Sequence, residues 1–477
     1  MKGKKRWTIR AALFMGIWLC VFPVTCGWCT DGTSGEPNAS TSVAQAPLPQ
    51  ATEEWVQRYD GSANGDDQAA GIALDPSGNV IVTGSSAGPN SSDILTIKYD
   101  STGNKIWEKR YDGIAHYGDE PNAIAVDGSG NVFVAGFSNT YANSYDYVVI
   151  KYDADGNEKW VATWDDVAHG GDFVKKLVVD GSGNAIVTGF ATKAGSSYPE
   201  YVTVKFNASD GKRLWARRVI GANGDWYRDP TLSLAVDAPG NIYVACSPWV
   251  NYYRAFILEK YAPDGSLLWR KWYYYNKLGH DNMACALALD GAGSGYVAGG
   301  WWTSQRGWDY KTMKFDALNG GNLLWTRTKG YLFNDIPSAM TVDASGSVIV
   351  TGTRVTLLGT TNYFTIKYDP TGVRLWSTIF NGPANGDDKA VALAVDSSGN
   401  IVVTGTSQGL VDSWNDMATI KYDILGNPVW EGRYNGVPYG SESAKAVTVD
   451  SSGAVYVAGS SQNANGNWDI VTIKYSK

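Results

Sequence analysis

Along this chain, short apolar runs alternate with clusters of glycine, aspartate, asparagine and serine, and the alternation is periodic. One period reads Ala70-Gly-Ile-Ala-Leu-Asp75-Pro-Ser-Gly78-Asn79-Val-Ile-Val-Thr-Gly84, a loop, Leu95-Thr-Ile-Lys98-Tyr99-Asp100, a turn and Trp107. Its turn aspartate recurs at Asp75, Asp127, Asp180, Asp237, Asp290, Asp343, Asp396 and Asp450, eight copies a little over fifty residues apart. Such a period marks an array of supersecondary units rather than separate domains. Each copy holds four strand-length apolar runs between turn signals, the content of a four-stranded antiparallel propeller blade. The expectation is an all-β, eight-bladed propeller, with strands A to D in each blade running from axis to rim.

The glycine of Asp-x-x-Gly supplies the positive φ of the A–B turn. Two residues before the aspartate stand Ala73, Ala125, Val178, Ala235, Ala288, Thr341, Ala394 and Thr448, small side chains that suit the narrow axis of a tapering ring. Runs such as Val80-Ile81-Val82 are apolar on both sides, as a blade packed on both faces requires. Tryptophans mark strand D at Trp107, Trp160, Trp215, Trp269, Trp325, Trp376 and Trp430, but the eighth repeat stops at Ile473-Lys474-Tyr475, on strand C. The segment Trp55-Val-Gln-Arg58-Tyr59-Asp60-Gly61 matches Trp107 to Gly113 and precedes the first strand A. The N-terminal strand is therefore expected to complete the last blade, removing an exposed sheet edge.

The set Asp-x-x-Gly-Asn, Ile-Lys-Tyr-Asp and Gly-Asn-x-x-Trp resembles the bacterial and archaeal β-propeller repeat family labelled SBBP, which implies an exported or surface protein. The resemblance spans residues 55 to 477. That family's name implies seven blades, whereas eight are counted here. A more distant resemblance is to quinone-binding eight-bladed propellers with a Gly-x-x-x-Trp corner. They carry an adjacent cysteine pair, and Cys20, Cys26, Cys29, Cys246 and Cys285 include none.

Composition narrows the function classes. Apolar residues make up 44% of the chain and charged residues 18%, with a formal net charge of -7. That balance argues against nucleic acid and anionic membranes as partners, which select basic surfaces. Lys2, Lys4, Lys5, Arg6 and Arg10 followed by apolar Ala11 to Val24 read as a signal peptide over residues 1–26, too short for a membrane span. Residues 27–50 read as a disordered linker and 51–477 as the propeller, with a secreted, periplasmic or cell-surface location. Lipid attachment at Cys26 is disfavoured because Pro23-Val24-Thr25 matches a lipoprotein box poorly.

Candidate chemistry is spread around the ring. The lysines Lys98, Lys151, Lys205, Lys260, Lys314, Lys367, Lys421 and Lys474 read as structural partners of the turn aspartates, since catalysis needs one lysine and not eight. Two acidic columns share one rim: Asp67, Asp119, Asp172, Asp229, Asn282, Asp335, Asp388 and Glu442 before strand A, and Asp93, Asp146, Glu200, Asp309, Asp416 and Asp469 before strand C. These acids suit either calcium or, more simply, backbone N–H groups at loop ends. No other cofactor is indicated. His116, His169 and His280 fall in D–A loops of the same rim, and Cys246 and Cys285 read as packed thiols.

No catalytic residue emerges, since no nucleophile elbow, zinc helix or phosphate loop is present. Aromatics crowd the loops of blades four and five, and Trp301, Trp302, Trp308, Tyr252, Tyr253 and Trp249 are the candidate ligand-binding residues. The favoured reading is an exported, noncatalytic binding or scaffold propeller taking a glycan or protein ligand. The alternative is a periplasmic propeller enzyme that is quinone-dependent, metal-dependent or glycan-acting.

Overall fold

The computed structural model describes residues 48–477 except 142–143, 167–168, 193–198, 220–231, 251–252, 274–279, 305–306, 331–333, 411–413 and 437–439. The expected leader, and the expected linker up to residue 47, lie outside the described residues. Eight antiparallel four-stranded sheets follow one another along the chain. Blade one comprises strands Asp67–Leu74, Val80–Ala87, Ser92–Tyr99 and Lys105–Tyr111, paired in chain order. Each strand A lies beside the next, and the last, Glu442–Val449, returns to the first, so the strands A line a closed ring. The expected eight-bladed propeller is the observed fold.

Ring closure follows the sequence argument. Strand Glu53–Tyr59 pairs with Trp468–Tyr475 as the outer strand of the last sheet, and Trp55 stands opposite Lys474 as Trp107 stands opposite Lys98. Ahead of it, Ala51 N–H donates to the Glu431 carbonyl of blade seven and Glu431 N–H to the Pro49 carbonyl. The start of the ring therefore engages two blades.

Burial happens between blades rather than within them. One cluster joins Phe133, Tyr147 and Val149 of blade two to Val174, Val187 and Val204 of blade three, and equivalent clusters fill the other interfaces. A sheet buried on both faces explains the unbroken apolar runs.

Between blades, one carbonyl takes two donors. Ala154 O, in the C–D turn of blade two, accepts Lys98 Nζ at 2.9 Å and Trp107 Nε1 at 3.2 Å from blade one. The same arrangement places Lys151 and Trp160 on Ala208 O, Lys205 and Trp215 on Pro263 O, and Lys314 and Trp325 on Pro370 O. Lys474 and Trp55 close the ring on Ser101 O. The indole lies over the glycine of that turn: a methyl group on Gly156, which has φ of 83°, would sit 2.8 Å from the Trp107 ring. Glycine is thus required there by φ and by space together.

Most lysines of this column pair with the turn aspartate of their own blade, whereas Lys474 pairs with Glu54 and Lys151 only feels the charge of Asp127. Lys98, Lys205 and Lys367 lie 2.8 Å from Asp75, Asp180 and Asp343. The other oxygen of Asp75 accepts the N–H groups of Ser77 and Asn79. Burial raises the Asp75 pKa, but the bonds from Lys98 and Asn79 outweigh it and hold the carboxyl below its ordinary value. The lysine column is structural, as the sequence suggested.

Strand A carries a β-bulge at the same place in seven blades, as between Ala69 and Gly71 or between Ala284 and Ala286. The bulge turns a carbonyl toward strand B, where a methyl group on Gly84 would sit 2.3 Å from Gln68 O. In blade four this glycine position holds Cys246, and Leu232 pairs directly with it without a bulge in the described residues. A side chain there and the inward carbonyl exclude each other. Neither Cys246 nor Cys285 is in a disulfide.

If the N-terminal strand belongs to the ring, Trp55→Ala should destabilise the protein about as much as Trp107→Ala, by about 3–5 kcal/mol each. Chemical denaturation of both variants checks this. A Trp55→Ala protein with unchanged stability would exclude Trp55 from the clasp.

Candidate functional site

The B–C and D–A loops share one face, and the tight A–B and C–D turns share the other. In blade five, strands Ser294–Thr303 and Gly307–Asp316 run to ten residues each and carry the paired strands toward the loop face. Trp302 stands opposite Trp308, and Trp301 opposite Asp309 on one side and Asn282 on the other. All three indoles are half-buried. The Trp308 ring lies against Gly300, where a methyl group would come within 2.8 Å of it.

Of the remaining candidates, Trp249 and Tyr253 belong to a short hairpin, Trp249–Val250 with Tyr253–Arg254, inserted between strands B and C of blade four. Tyr252 lies outside the described residues, as do Trp226, Tyr227, Tyr274 and Tyr275. The hairpin is tied to blade five, for Asn282 Nδ2 donates to Arg254 O at 3.2 Å. Asn282 is the backbone partner of Trp301, so the blade-four insertion and the blade-five indoles meet at one blade boundary.

Sequence reasoning missed Lys311. Its Nζ lies 3.3 Å from the centroid of the Trp301 ring, beside a cavity of about 20 Å³ also lined by Phe256, Tyr273, Met283 and Met313. Burial pulls its pKa down from 10.5 to about 8. The signal was present as a broken column: the seven equivalent strand C positions hold Leu95, Val148, Val202, Ile257, Phe364, Ala418 and Val471. A lysine in an apolar column is a departure that packing alone does not require.

The two acidic columns do converge, with a third member that the sequence reading overlooked. Asp67 meets Asp469 and Asp60, Asp119 meets Asp93 and Asp112, and Asp172 meets Asp146 and Asp165. Backbone N–H groups serve the column before strand A: Gly61 and Ala87 donate to Asp67, and Asp166 and Thr192 to Asp172. Arginines of strand D serve the other column, Arg110 on Asp93 and Arg433 on Asp416, both at 2.7 Å. Burial dominates the pKa of Asp172 and, with Asp166 and Asp146 nearby, raises it to about 7.

His116 and His169 sit in exposed D–A loops, on Asp112 at 2.7 Å and Asp165 at 2.5 Å, rather than on Asp119 and Asp172. His280 opens strand A of blade five instead of lying in the loop. The three histidines therefore occupy separate positions around the rim.

Fold and rim together define an eight-bladed β-propeller with a variable, aromatic loop face. Residues 109–142, from the end of blade one through strands A and B of blade two, match the family described as SBBP, Beta-propeller repeat. The resemblance read from the repeats is thus matched in this segment. An uncharacterized WD repeat-containing protein of Acanthamoeba polyphaga mimivirus is 23% identical over 459 residues, covering 78% of this chain and 31% of that protein. The chain thus spans about a third of that relative's length.

Among solved structures, an ulvan lyase of polysaccharide lyase family PL25 superposes with a TM-score of 0.47 at 11% identity, over 70% of this chain and 88% of that one. Drosophila Semaphorin 1b, extracellular domains 1–2, gives 0.45 at 8% identity, over 89% and 87%. The propeller domain of the Trilobed protease from Pyrococcus furiosus gives 0.41 at 10% identity, over 75% and 95%.

Lys311 makes a pH-dependent stability measurable. Its pKa is about 8 in the fold against an ordinary 10.5, so the folded state binds fewer protons than the unfolded state between those values. Stability contributed by the neutral amine is therefore present above that window and lost as pH falls through it. Lys311→Met should melt above wild type at about pH 7 and converge with it near pH 10.5. Paired thermal melts at the two pH values check this, and a constant difference would show that Lys311 titrates normally.

Proposed function

We propose that this propeller is an exported, noncatalytic binding protein whose ligand, a glycan or a protein, docks on the loop face over blades four and five. The single observation that carries the reading is the set of half-buried indoles Trp301, Trp302 and Trp308 on the extended hairpin of blade five. Strand D tryptophans, whether buried like Trp107 or half-buried like Trp325, lie instead against the C–D turn of the next blade, on the opposite face. Half-buried indoles grouped on a loop face favour stacking on sugar rings or anchoring in a partner's pocket. Lys311 beneath Trp301 holds that ring by a cation–π contact, so the surface is preorganised. Trp249 and Tyr253, on the blade-four hairpin, and Tyr252, which lies outside the described residues, are proposed as further ligand contacts.

Export is proposed from the basic and then apolar N-terminal residues, with a secreted, periplasmic or cell-surface location. Among the described residues, no helix is long and apolar enough to cross a membrane.

Glycan arrays and surface-protein extracts should be screened against wild type, the double variant Trp301→Ala with Trp302→Ala, and Ser129→Ala on the opposite face. The double variant should lose at least tenfold in affinity, about 1.4 kcal/mol, while Ser129→Ala binds as wild type. A folded double variant that keeps every wild-type interaction would make the aromatic patch purely structural.

A further inference from the structure

We propose that the loop rim between blades two and three binds a Ca²⁺ ion through Asp146, Asp165 and Asp172, where blade two lacks the arginine that serves the equivalent aspartate elsewhere in the ring. The proposal is independent of the aromatic patch.

Three other blades define what is missing. In blade one, Arg110 donates to Asp93 at 2.7 Å and to Ser86 Oγ at 2.6 Å. In blade seven, Arg433 donates to Asp416 at 2.7 Å and to Ser407 Oγ at 2.9 Å. In the closing blade, Arg58 makes the same fork to Asp469 and Ser461. Blade two keeps the acceptors, since Ser138 stands opposite Asp146 as Ser86 stands opposite Asp93. It lacks the donor, because its strand D carries Thr163 at the arginine position.

The consequence is visible at Asp146. Asp146 is 4% exposed and its Oδ1 has no hydrogen-bond partner among the described residues, while Ser138 turns to Asp119 and Tyr111. The other Asp146 oxygen accepts from the Thr140 hydroxyl. A buried carboxylate oxygen left bare is costly, and a cation removes that cost. Of the nearby cations, Arg218 pairs with Asp166 and Glu200, and His169 pairs with one oxygen of Asp165 at the edge of the cluster, a partner that Ca²⁺ would compete with. Asp172 gives one hydrogen bond's worth of each oxygen to the Asp166 and Thr192 N–H groups and retains further lone pairs.

Geometry selects the ion. The ligand atoms of Asp146, Asp165 and Asp172 all lie within 4.8 Å of one another. An ion with oxygens at about 2.4 Å accepts separations up to about 4.8 Å, as Ca²⁺ does, whereas Mg²⁺ at about 2.1 Å needs a tighter set. The related triads at Asp93 and Asp469 already hold an arginine and serve as internal controls.

The test is calcium uptake by the full chain in equilibrium dialysis at about 1 mM free Ca²⁺, the range of extracellular calcium modules, combined with thermal melts in calcium and in chelator. Wild type should melt higher in calcium, and Thr163→Arg, which installs the ring's own solution, should bind one Ca²⁺ fewer and lose the calcium-dependent shift. Asp146→Asn should lose the same equivalent, and it decides the matter if Thr163→Arg fails to fold. Equal uptake by wild type and both folded variants, or no uptake by wild type, overturns the proposal.

Discussion

The ring depends on a carbonyl shared across the blade boundary, seen at five boundaries among the described residues, while between blades four and five Ala317 O takes Lys260 and Tyr243 instead. A peptide oxygen has two lone pairs, and in the C–D turns one is taken by a lysine ammonium and the other by an indole N–H of the preceding blade. Three features of the repeat become one device. The tryptophan needs the glycine beneath it, the turn presents the carbonyl because that glycine has positive φ, and the lysine reaches the carbonyl only because an aspartate of its own blade offsets its charge. Losing any member leaves a buried donor or acceptor without a partner, so these positions repeat while loops drift.

Against this uniform frame, blades four and five stand out. Blade four replaces the strand B glycine with Cys246, shows no bulge among the described residues, and inserts a hairpin before strand C. Blade five lengthens its central hairpin and places Lys311 in an apolar column. The two sets of departures adjoin, linked through Asn282 and Arg254. Departures from a repeat that serves packing are the natural place for function, because the scaffold carries the stability and leaves them free to vary.

The acidic rim follows a different logic. Its carboxylates are buried, and burial by itself favours their protonated forms, as at Asp172 and Glu442, whose pKa values rise to about 7. Backbone N–H groups and strand D arginines offset that cost around much of the rim. The columns read as loop-end acceptors therefore do serve that role, while the partner that completes them differs from blade to blade.

Blade number, strand order and closure were legible in the sequence because each rests on a local, repeated signal: the Asp-x-x-Gly turn, strand-length apolar runs and an N-terminal Trp55 segment that supplies the absent eighth strand D. The lysine–aspartate pairing was legible for the same reason, since one repeat contains both partners. The carbonyl shared between Lys98 and Trp107 was not, because its owner, Ala154, belongs to the next blade and offers only a backbone atom. Nor was the meeting of Asp165 with Asp146 and Asp172, which come from a loop and two different blades. Lys311 was written in the chain as a break in an apolar column, yet its depressed pKa and its place under Trp301 arise from neighbours on two blades. The repeat by itself determined the architecture. Only tertiary structure decided which side chains share a partner across a blade boundary, because those contacts depend on the distance and orientation that ring closure imposes.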